Sequence, residues 1–546
     1  MYVDVDVAVI GAGPAGLVAA RHLKEAGYTA SAAPRPVPSR SAAGHGHGGC
    51  TAASGGGGGD RSMVVLEETS SPGGIWNRAG AEGRPVVPCR CADPDPDADA
   101  AYGDGEAGGG EAATEVGREN SSSGSIRPSF GVETSSQPLY ENLRVNFPKD
   151  IMSFVGAPFR PDVPFFPGVP AVEEYYGDYT RRHGLEEGGY VRYNSRVEKC
   201  WKREDGRRWV IETVGGEVYY ADNVVVCTGH HRRAFAPPVP GVRHFARRVG
   251  RRLIHSSAFG SVERFRNRRV LIVGGGISGS DIANHLLRDG RCRGVTVSVR
   301  KLSLKAKLLL HQAVKRGARV CPGVERVGDD GKIHFVPGRR ENGFGTKLQH
   351  RTSPEDFDDI IFATGYRYWY PFLHPEQRRR VLSDETGYKL ERLYMRMIYV
   401  EDPTMAFLGI TNVNLPSSVL LEHQARVYVK YLRGDLAAPT PTRDEMEEEV
   451  RSRSCDRTQD ALAGKFPSYV RSLAMLSGEG GYWNHLLKCS LPAFLRSLWV
   501  QRHPILGWAV VGASFQGAAL ALLLARYDRF PSFLQPSLFG SGTQLG

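Results

Sequence analysis

Two glycine turns, Gly11-Ala12-Gly13-Pro14-Ala15-Gly16 and Gly274-Gly275-Gly276-Ile277-Ser278-Gly279, each follow a short apolar run and open a helix-compatible stretch. In such a turn the first glycine permits a tight bend, the second lets the backbone approach a diphosphate, and the third lets helix close on strand. The diphosphate then sits on the positive end of the helix. A lone GxGxxG is weak, but Val5 to Ile10 and Val270 to Val273 read as buried parallel strands, the setting the pattern requires. The pairing predicts an α/β chain of two doubly wound, Rossmann-like dinucleotide-binding units. One nucleotide could deliver electrons and the other use them. At 546 residues the chain is long enough to enclose such a site.

The first unit needs a helix over 14–27 and a second strand, which Met63 to Glu67 supplies once a Pro-, Ser-, His- and Gly-rich stretch from Ser31 to Arg61 is set aside as a flexible excursion. A second polar stretch, about 79–136, reads the same way. His45 and His47 belong to the first of these and read as solvated. Glu67 then stands where an acid accepts ribose hydroxyls, with Glu68 or an ordinary strand-end acid as the alternative. In the second unit, strand 270–273, a helix over about 277–289 and strand Val295 to Val299 lead to Arg300-Lys301, cations where an NAD site carries an acid. They suit a 2′-phosphate, hence NADPH, unless they are a plain surface pair.

The net charge of +11 comes with arginine clusters such as Arg247-Arg248 and Arg251-Arg252 that lack interleaved aromatics, so they read as solvated surface and not as a nucleic-acid platform. Nine scattered cysteines form no disulfide framework and fit a reducing compartment; the close pair Cys89-Arg90-Cys91 has the wrong spacing for zinc, and no metal is expected. The first strand begins by Val5, which leaves no space for a cleavable leader. Residues 443–453 read as a solvated, charged helix. The run Ile505 to Ala525 is free of charge and long enough to span a hydrocarbon core, yet Gln516 and many Ala and Gly residues also suit a helix packed on protein. Two localisations therefore stay open, a soluble protein or a tail anchor on the cytoplasmic face of an endomembrane.

Further segments fall in a telling order: Glu67 to Trp76 with Gly73-Gly74-Ile75-Trp76, Tyr140 to Pro148 with Asn146, Cys227 to His231, His255 to Phe259, Phe362-Ala363-Thr364-Gly365-Tyr366, and Glu422 to Arg426. On these motifs the chain resembles the flavin-containing monooxygenases, class B flavoprotein monooxygenases, over about residues 3 to 434. The FxGxxxHxxx(Y/F) signature is altered: Val249 and Arg251 stand where its phenylalanine and glycine belong, with Phe245 and Gly250 displaced, which bears on NADPH orientation more than on FAD. The resemblance implies a discontinuous FAD domain (1–235 and 356–435), an inserted NADPH domain (236–355) and a C-terminal extension (436–546). It implies FAD contacts from Gly11, Ala12, Gly13, Pro14, Ala15, Gly16, Glu67, Gly74, Ile75, Trp76, Asn146, Phe147, Thr364 and Gly365. NADPH contacts would come from Gly274, Gly276, Ser278, Gly279, Asp281, Arg300 and Lys301.

The same resemblance implies that NADPH reduces FAD, that O2 adds to form a C4a-hydroperoxyflavin, and that a nucleophilic N or S atom of a small molecule takes up an oxygen. Such chemistry asks for positioning and water exclusion, so no Ser-His-Asp set is needed. Asn146 would be the catalytic residue, a neutral amide that can donate and accept beside the flavin. His255 would orient the interdomain linker or simply pack. A disulfide reductase is excluded by the absence of a Cys-x-x-Cys pair. A Baeyer–Villiger monooxygenase, or a non-oxygenating sensor or NADPH oxidase, remain as alternatives.

Overall fold

The computed structural model describes residues 1–32, 61–78, 84–87, 89–91, 131–300, 304–337, 354–382, 387–411, 417–453 and 466–478. His45, His47, Lys301, most of the two polar stretches and the apolar run 505–525 lie outside these ranges.

The first sheet grows from β1 (Tyr2–Ile10), whose closing Val7-Ala8-Val9-Ile10 is fully buried, as expected of a strand covered on both faces. The chain turns at the first glycine motif into α1 (Pro14–Glu25), where Pro14 presets the backbone angle of the first helical position and lacks an N–H that would have no helical partner. Then come β2 (Thr29–Ala30) and β3 (Ser62–Leu66), which pair in parallel with each other, β3 pairing also with β1. After α2 (Val169–Arg182), an antiparallel meander of β4 (Val197–Lys202), β5 (Trp209–Thr213) and β6 (Val218–Val226) brings β6 alongside β1 in parallel.

The second sheet follows, from β7 (Arg252–His255), β8 (Arg269–Val273), α3 (Ile277–Asp289), β9 (Gly294–Ser298), α4 (Leu304–Lys315), β10 (Arg319–Cys321) and β11 (Asp359–Phe362). All its strands are parallel, in the order β7, β11, β8, β9, β10. The chain rejoins the first sheet through β12 (Leu393–Tyr394), β13 (Ile398–Tyr399) and β14 (Met405–Phe407). That sheet then runs β12, β13, β14, β6, β1, β3, β2. Helices α5 (Ser417–Arg433), α6 (Arg443–Ser452) and α7 (Phe466–Leu476) complete the described fold. The architecture is mixed α/β with parallel sheets of Rossmann type, each carrying one glycine turn at the end of a central strand.

Several expectations need correction. The run 359–362, expected with the return to the first unit, is instead β11, seated between β7 and β8 because its fully buried Ile360-Ile361-Phe362 fills two core faces of the second sheet. The second polar stretch ends earlier than 136: Val132 and Thr134 are buried and Glu133 bridges to Ile254. Cys89-Arg90-Cys91, expected in a disordered stretch, holds the short strand Arg90–Cys91, which pairs in parallel with Phe235 and Ala236. Within the expected extension from 436, α7 places Phe466, Val470 and Leu473 in the same core as Val7, Val9 and Leu17. The stretched linker is absorbed at the surface: Val249 is exposed and Gly250 turns with φ +77, while Phe245 and His255 remain fully buried on either side. Among the described residues no helix is long and apolar enough to cross a membrane.

Candidate active site

The two glycine turns differ in what surrounds each position. A methyl on Gly16 would stand 1.9 Å from the Gly11 carbonyl oxygen, and one on Gly279 would stand 2.0 Å from that of Gly274. Gly11 (φ +102) and Gly274 (φ +115) adopt the left-handed region, and a side chain on Gly274 would also meet the Ala363 carbonyl oxygen at 2.4 Å. Gly276, by contrast, faces open space, with nothing within 4 Å of where its side chain would begin. Tight at the outer glycines and open at the middle one, the second turn leaves room only on its ligand side. In the first turn Gly13 is packed at ordinary distance, 3.6 Å, against the Cα of Gly74.

A cavity of about 790 Å³ opens over the first turn. Of the residues expected to hold nucleotides it gathers Gly11, Gly13, Pro14, Ala15, Glu67, Gly74, Ile75, Trp76 and Phe147, and from the second turn Ser278, together with Ile277. The lining includes the uncharged Trp76, Phe147, Met152, Phe154, Tyr176 and Leu421 together with the charged Glu67, Glu68, Arg84, Arg196 and Arg232. Asn146 is exposed and precedes the lining Phe147. Ala12, Gly16, Gly274, Gly276 and Gly279 shape the two turns without lining this cavity, and Arg300 is exposed beyond the end of β9.

Glu67 is held inward. Ala12 N–H donates to its Oε2 at 2.6 Å, and the Thr69 N–H and hydroxyl donate to Oε1 at 3.0 and 2.6 Å. Burial pushes its carboxyl above the usual range, against the pull of those hydrogen bonds. Its neighbour Glu68 points the other way and pairs with Arg84 at 2.8 Å and Arg232 at 3.1 Å. Sequence reading gave no sign of Arg84 or Arg232, because an ion partner brought from another element leaves no local pattern.

Residues of the 362–366 motif lie where the chain crosses between sheets. Thr364 Oγ1 donates to the Phe235 carbonyl, and the Gly365 carbonyl accepts from His255 Nε2 at 3.0 Å. His255 Nδ1 accepts from Ser257 N–H at 3.1 Å, which fixes its tautomer, and burial lowers its pKa to about 4. The imidazole is thus a neutral tie between the end of β7 and the crossover. His230, inside the cavity, is likewise lowered to about 4 by burial. Asp281, expected at the nucleotide, accepts from the Tyr140 hydroxyl and lies 3.7 Å from His285.

Compared with known families, the flavin-binding monooxygenase-like model matches residues 116–306 and 345–473. The chain belongs to that family. It is similar to the flavin-containing monooxygenase FMO GS-OX-like 9 of Arabidopsis thaliana, 28% identical over 456 residues, covering 81% of this chain and 78% of that protein. It is also similar to the thiol-specific monooxygenase of Saccharomyces cerevisiae, 28% identical over 310 residues, covering 55% of this chain and 66% of that one. Among solved structures, the S-allyl-L-cysteine S-oxygenase of Allium sativum matches with a TM-score of 0.59 at 22% identity, over 92% of this chain and 94% of its own. Membership makes this chain a flavin-dependent monooxygenase acting on a small molecule with O2. It extends past Asp435, where the motifs legible in the sequence stop, in keeping with the burial of α7.

Proposed function

We propose that the protein uses NADPH and O2 to place one oxygen atom on a nucleophilic nitrogen or sulfur of a small molecule, with FAD as resident cofactor. The second oxygen leaves as water and NADPH leaves as NADP+. The observation that carries this reading is the meeting of both turns at one cavity, Gly11 and Gly13 from the first and Ile277 and Ser278 from the second. Sulfur is the favoured acceptor, because similar proteins carry names for thiol and S-allyl-cysteine oxygenation.

The residues present fit the two coenzymes. The Gly11 turn and the start of α1 offer amide hydrogens and a positive helix end to a diphosphate, and the open side of Gly276 offers the same to the second. A flavin bound here supplies the oxygen-activating redox chemistry. Everything else falls to the chain. Glu67 holds the Ala12 amide and so the shape of the first turn, and it stands in the cavity as the ribose acceptor, with Glu68 beside it as the alternative. Trp76, Phe147, Met152 and Phe154 keep their part of the lining dry, which prevents water from discharging reactive oxygen. Asn146, exposed next to the lining Phe147, would supply a neutral amide at the edge of the cavity, and Arg300 with Lys301 would receive the 2′-phosphate. The division into an FAD part and an inserted NADPH part belongs to the same reading.

The deciding experiment incubates purified, FAD-loaded protein with NADPH, labelled dioxygen and either a thioether or a tertiary amine. Label in the organic product together with NADPH loss is the expected result. NADPH consumption that ends only in hydrogen peroxide with both probes would leave an oxidase in place of an oxygenase.

A further inference from the structure

Residues 131–147 form a strap that touches both halves of the site. Toward the second sheet, Glu133 N–H donates to the Leu253 carbonyl and its own carbonyl accepts from His255 N–H, both at 2.8 Å, while its carboxylate takes a two-pronged bond from Arg264 at 2.7 and 2.8 Å. Glu141 N–H donates to the Gly260 carbonyl at 2.8 Å. Toward the first sheet, Gln137 Nε2 donates to the Asn77 carbonyl at 2.9 Å and Val145 N–H to the Pro167 carbonyl at 3.0 Å. The strap ends at Asn146 and Phe147, the latter in the cavity wall.

At its centre Tyr140 makes one contact of a different kind. Its ring packs edge-on against Phe259 and His285, with centroids 5.3 and 5.5 Å away, and its hydroxyl donates to the Asp281 carboxylate. Asp281 belongs to α3, the helix whose first residues, Ile277 and Ser278, line the cavity. Burial and the neighbouring carboxylate both push the phenol pKa upward, so it stays a donor at any physiological pH. A hydrogen bond to a charged acceptor in a partly dry setting is directional and strong. It ties the start of the strap's last turn to the helix that follows the second glycine turn.

We propose that the Tyr140–Asp281 hydrogen bond is a positioning link that sets the register of the second glycine turn against the Asn146–Phe147 loop. This rests on the NADPH reading of the site. Both residues act through what they hold: α3 carries the bound nicotinamide coenzyme, and the strap carries the groups facing the flavin. Loosening the link should let the coenzyme bind in more than one register. Its affinity then falls, and a larger share of its electrons reaches peroxide instead of product.

The test uses the full-length, FAD-loaded protein with Tyr140→Phe, Asp281→Ala and the double variant. Tyr140→Phe keeps the ring packing and removes only the donor. Expected is a five- to twentyfold rise in the NADPH KM and in the dissociation constant for NADP+ read by tryptophan fluorescence, about what loss of one bond to a charged group gives. The peroxide fraction should rise and Tm should fall modestly, with flavin content unchanged. In the Asp281→Ala background, Tyr140→Phe should add nothing. An unchanged KM, NADP+ affinity and peroxide fraction in Tyr140→Phe would overturn the proposal, as would a full Tyr140→Phe effect that persists without Asp281. A wild-type protein that binds no NADP+ and oxidises no NADPH would overturn the NADPH reading as well, so the two failures are distinct.

Discussion

His22 Nε2 donates to Glu422 Oε2 at 2.8 Å across the seam between α1 and α5. The same carboxylate accepts from Val155 N–H at 2.9 Å and from Arg21 at 3.3 Å, so one buried acid joins the helix behind the first glycine turn to the last long helix of that unit. Although burial works against ionisation, these partners hold the Glu422 carboxyl below its usual range.

Glu422→Gln should therefore unfold more readily, by roughly 3 kcal/mol, since it takes the buried counter-charge from Arg21 and an acceptor from the His22 and Val155 N–H donors. Because the folded state disfavours the proton on this carboxyl, its contribution is present above the unfolded carboxylate's pKa and is lost as pH falls through the folded one. Urea melts of wild type and variant should converge only in acid. A constant gap down to acid pH would show that charge is not what matters at this seam.

Alanine scanning of the second turn should separate two roles of glycine. Gly279→Ala drives a methyl to 2.0 Å from a backbone oxygen and should cost roughly 3 kcal/mol or more. Gly276→Ala meets nothing in the protein and should melt within about 0.5 kcal/mol of wild type. It should nonetheless raise the NADPH KM on the order of tenfold by occupying the approach to the diphosphate. Differential scanning calorimetry and steady-state kinetics on the same preparations decide the matter.

What the sequence discloses and what it hides divides along physical lines. β1, α1, β8 and α3 are legible because glycine spacing, apolar runs and helix periodicity are local properties; α1, β8 and α3 fall within two residues of expectation, and β1 begins three residues before Val5. The place of β11 is not legible, because its apolar run says that it is buried but not between which strands. His22–Glu422, Glu68–Arg232 and Tyr140–Asp281 were hidden for a related reason: each pairs residues far apart in the chain, and only the fold selects the partner. α7 reads as any amphipathic helix, and its place in the first core depends on α5, against which it packs.

Glu67 offers a test of an inward-facing carboxylate. Glu67→Ala leaves the Ala12 amide and the Thr69 donors without their acceptor and should cost about 1–3 kcal/mol in flavin-free protein. Glu67→Gln keeps one acceptor oxygen but sets its amide NH2 against a backbone N–H, of Ala12 or of Thr69, so it should also lose stability, by about 1–3 kcal/mol. A Gln variant as stable as wild type by urea denaturation would show that one acceptor oxygen is enough to shape the first turn.

His255 makes the pH dependence of folding specific. Its folded pKa of about 4 lies below the ordinary value of 6.5, so the unfolded chain takes up a proton that the folded one refuses. The stability it contributes is complete above pH 6.5 and is lost progressively as pH falls from there toward 4, by about 3 kcal/mol. His255→Gln should remove that slope while preserving a donor toward the Gly365 carbonyl, since its amide nitrogen reaches as far as the imidazole Nε2. Isothermal denaturant titrations at intervals across this window measure both proteins directly. Parallel curves for wild type and variant would show that the folded imidazole takes up a proton as readily as the unfolded one, contrary to its two hydrogen bonds with a carbonyl acceptor and an amide donor.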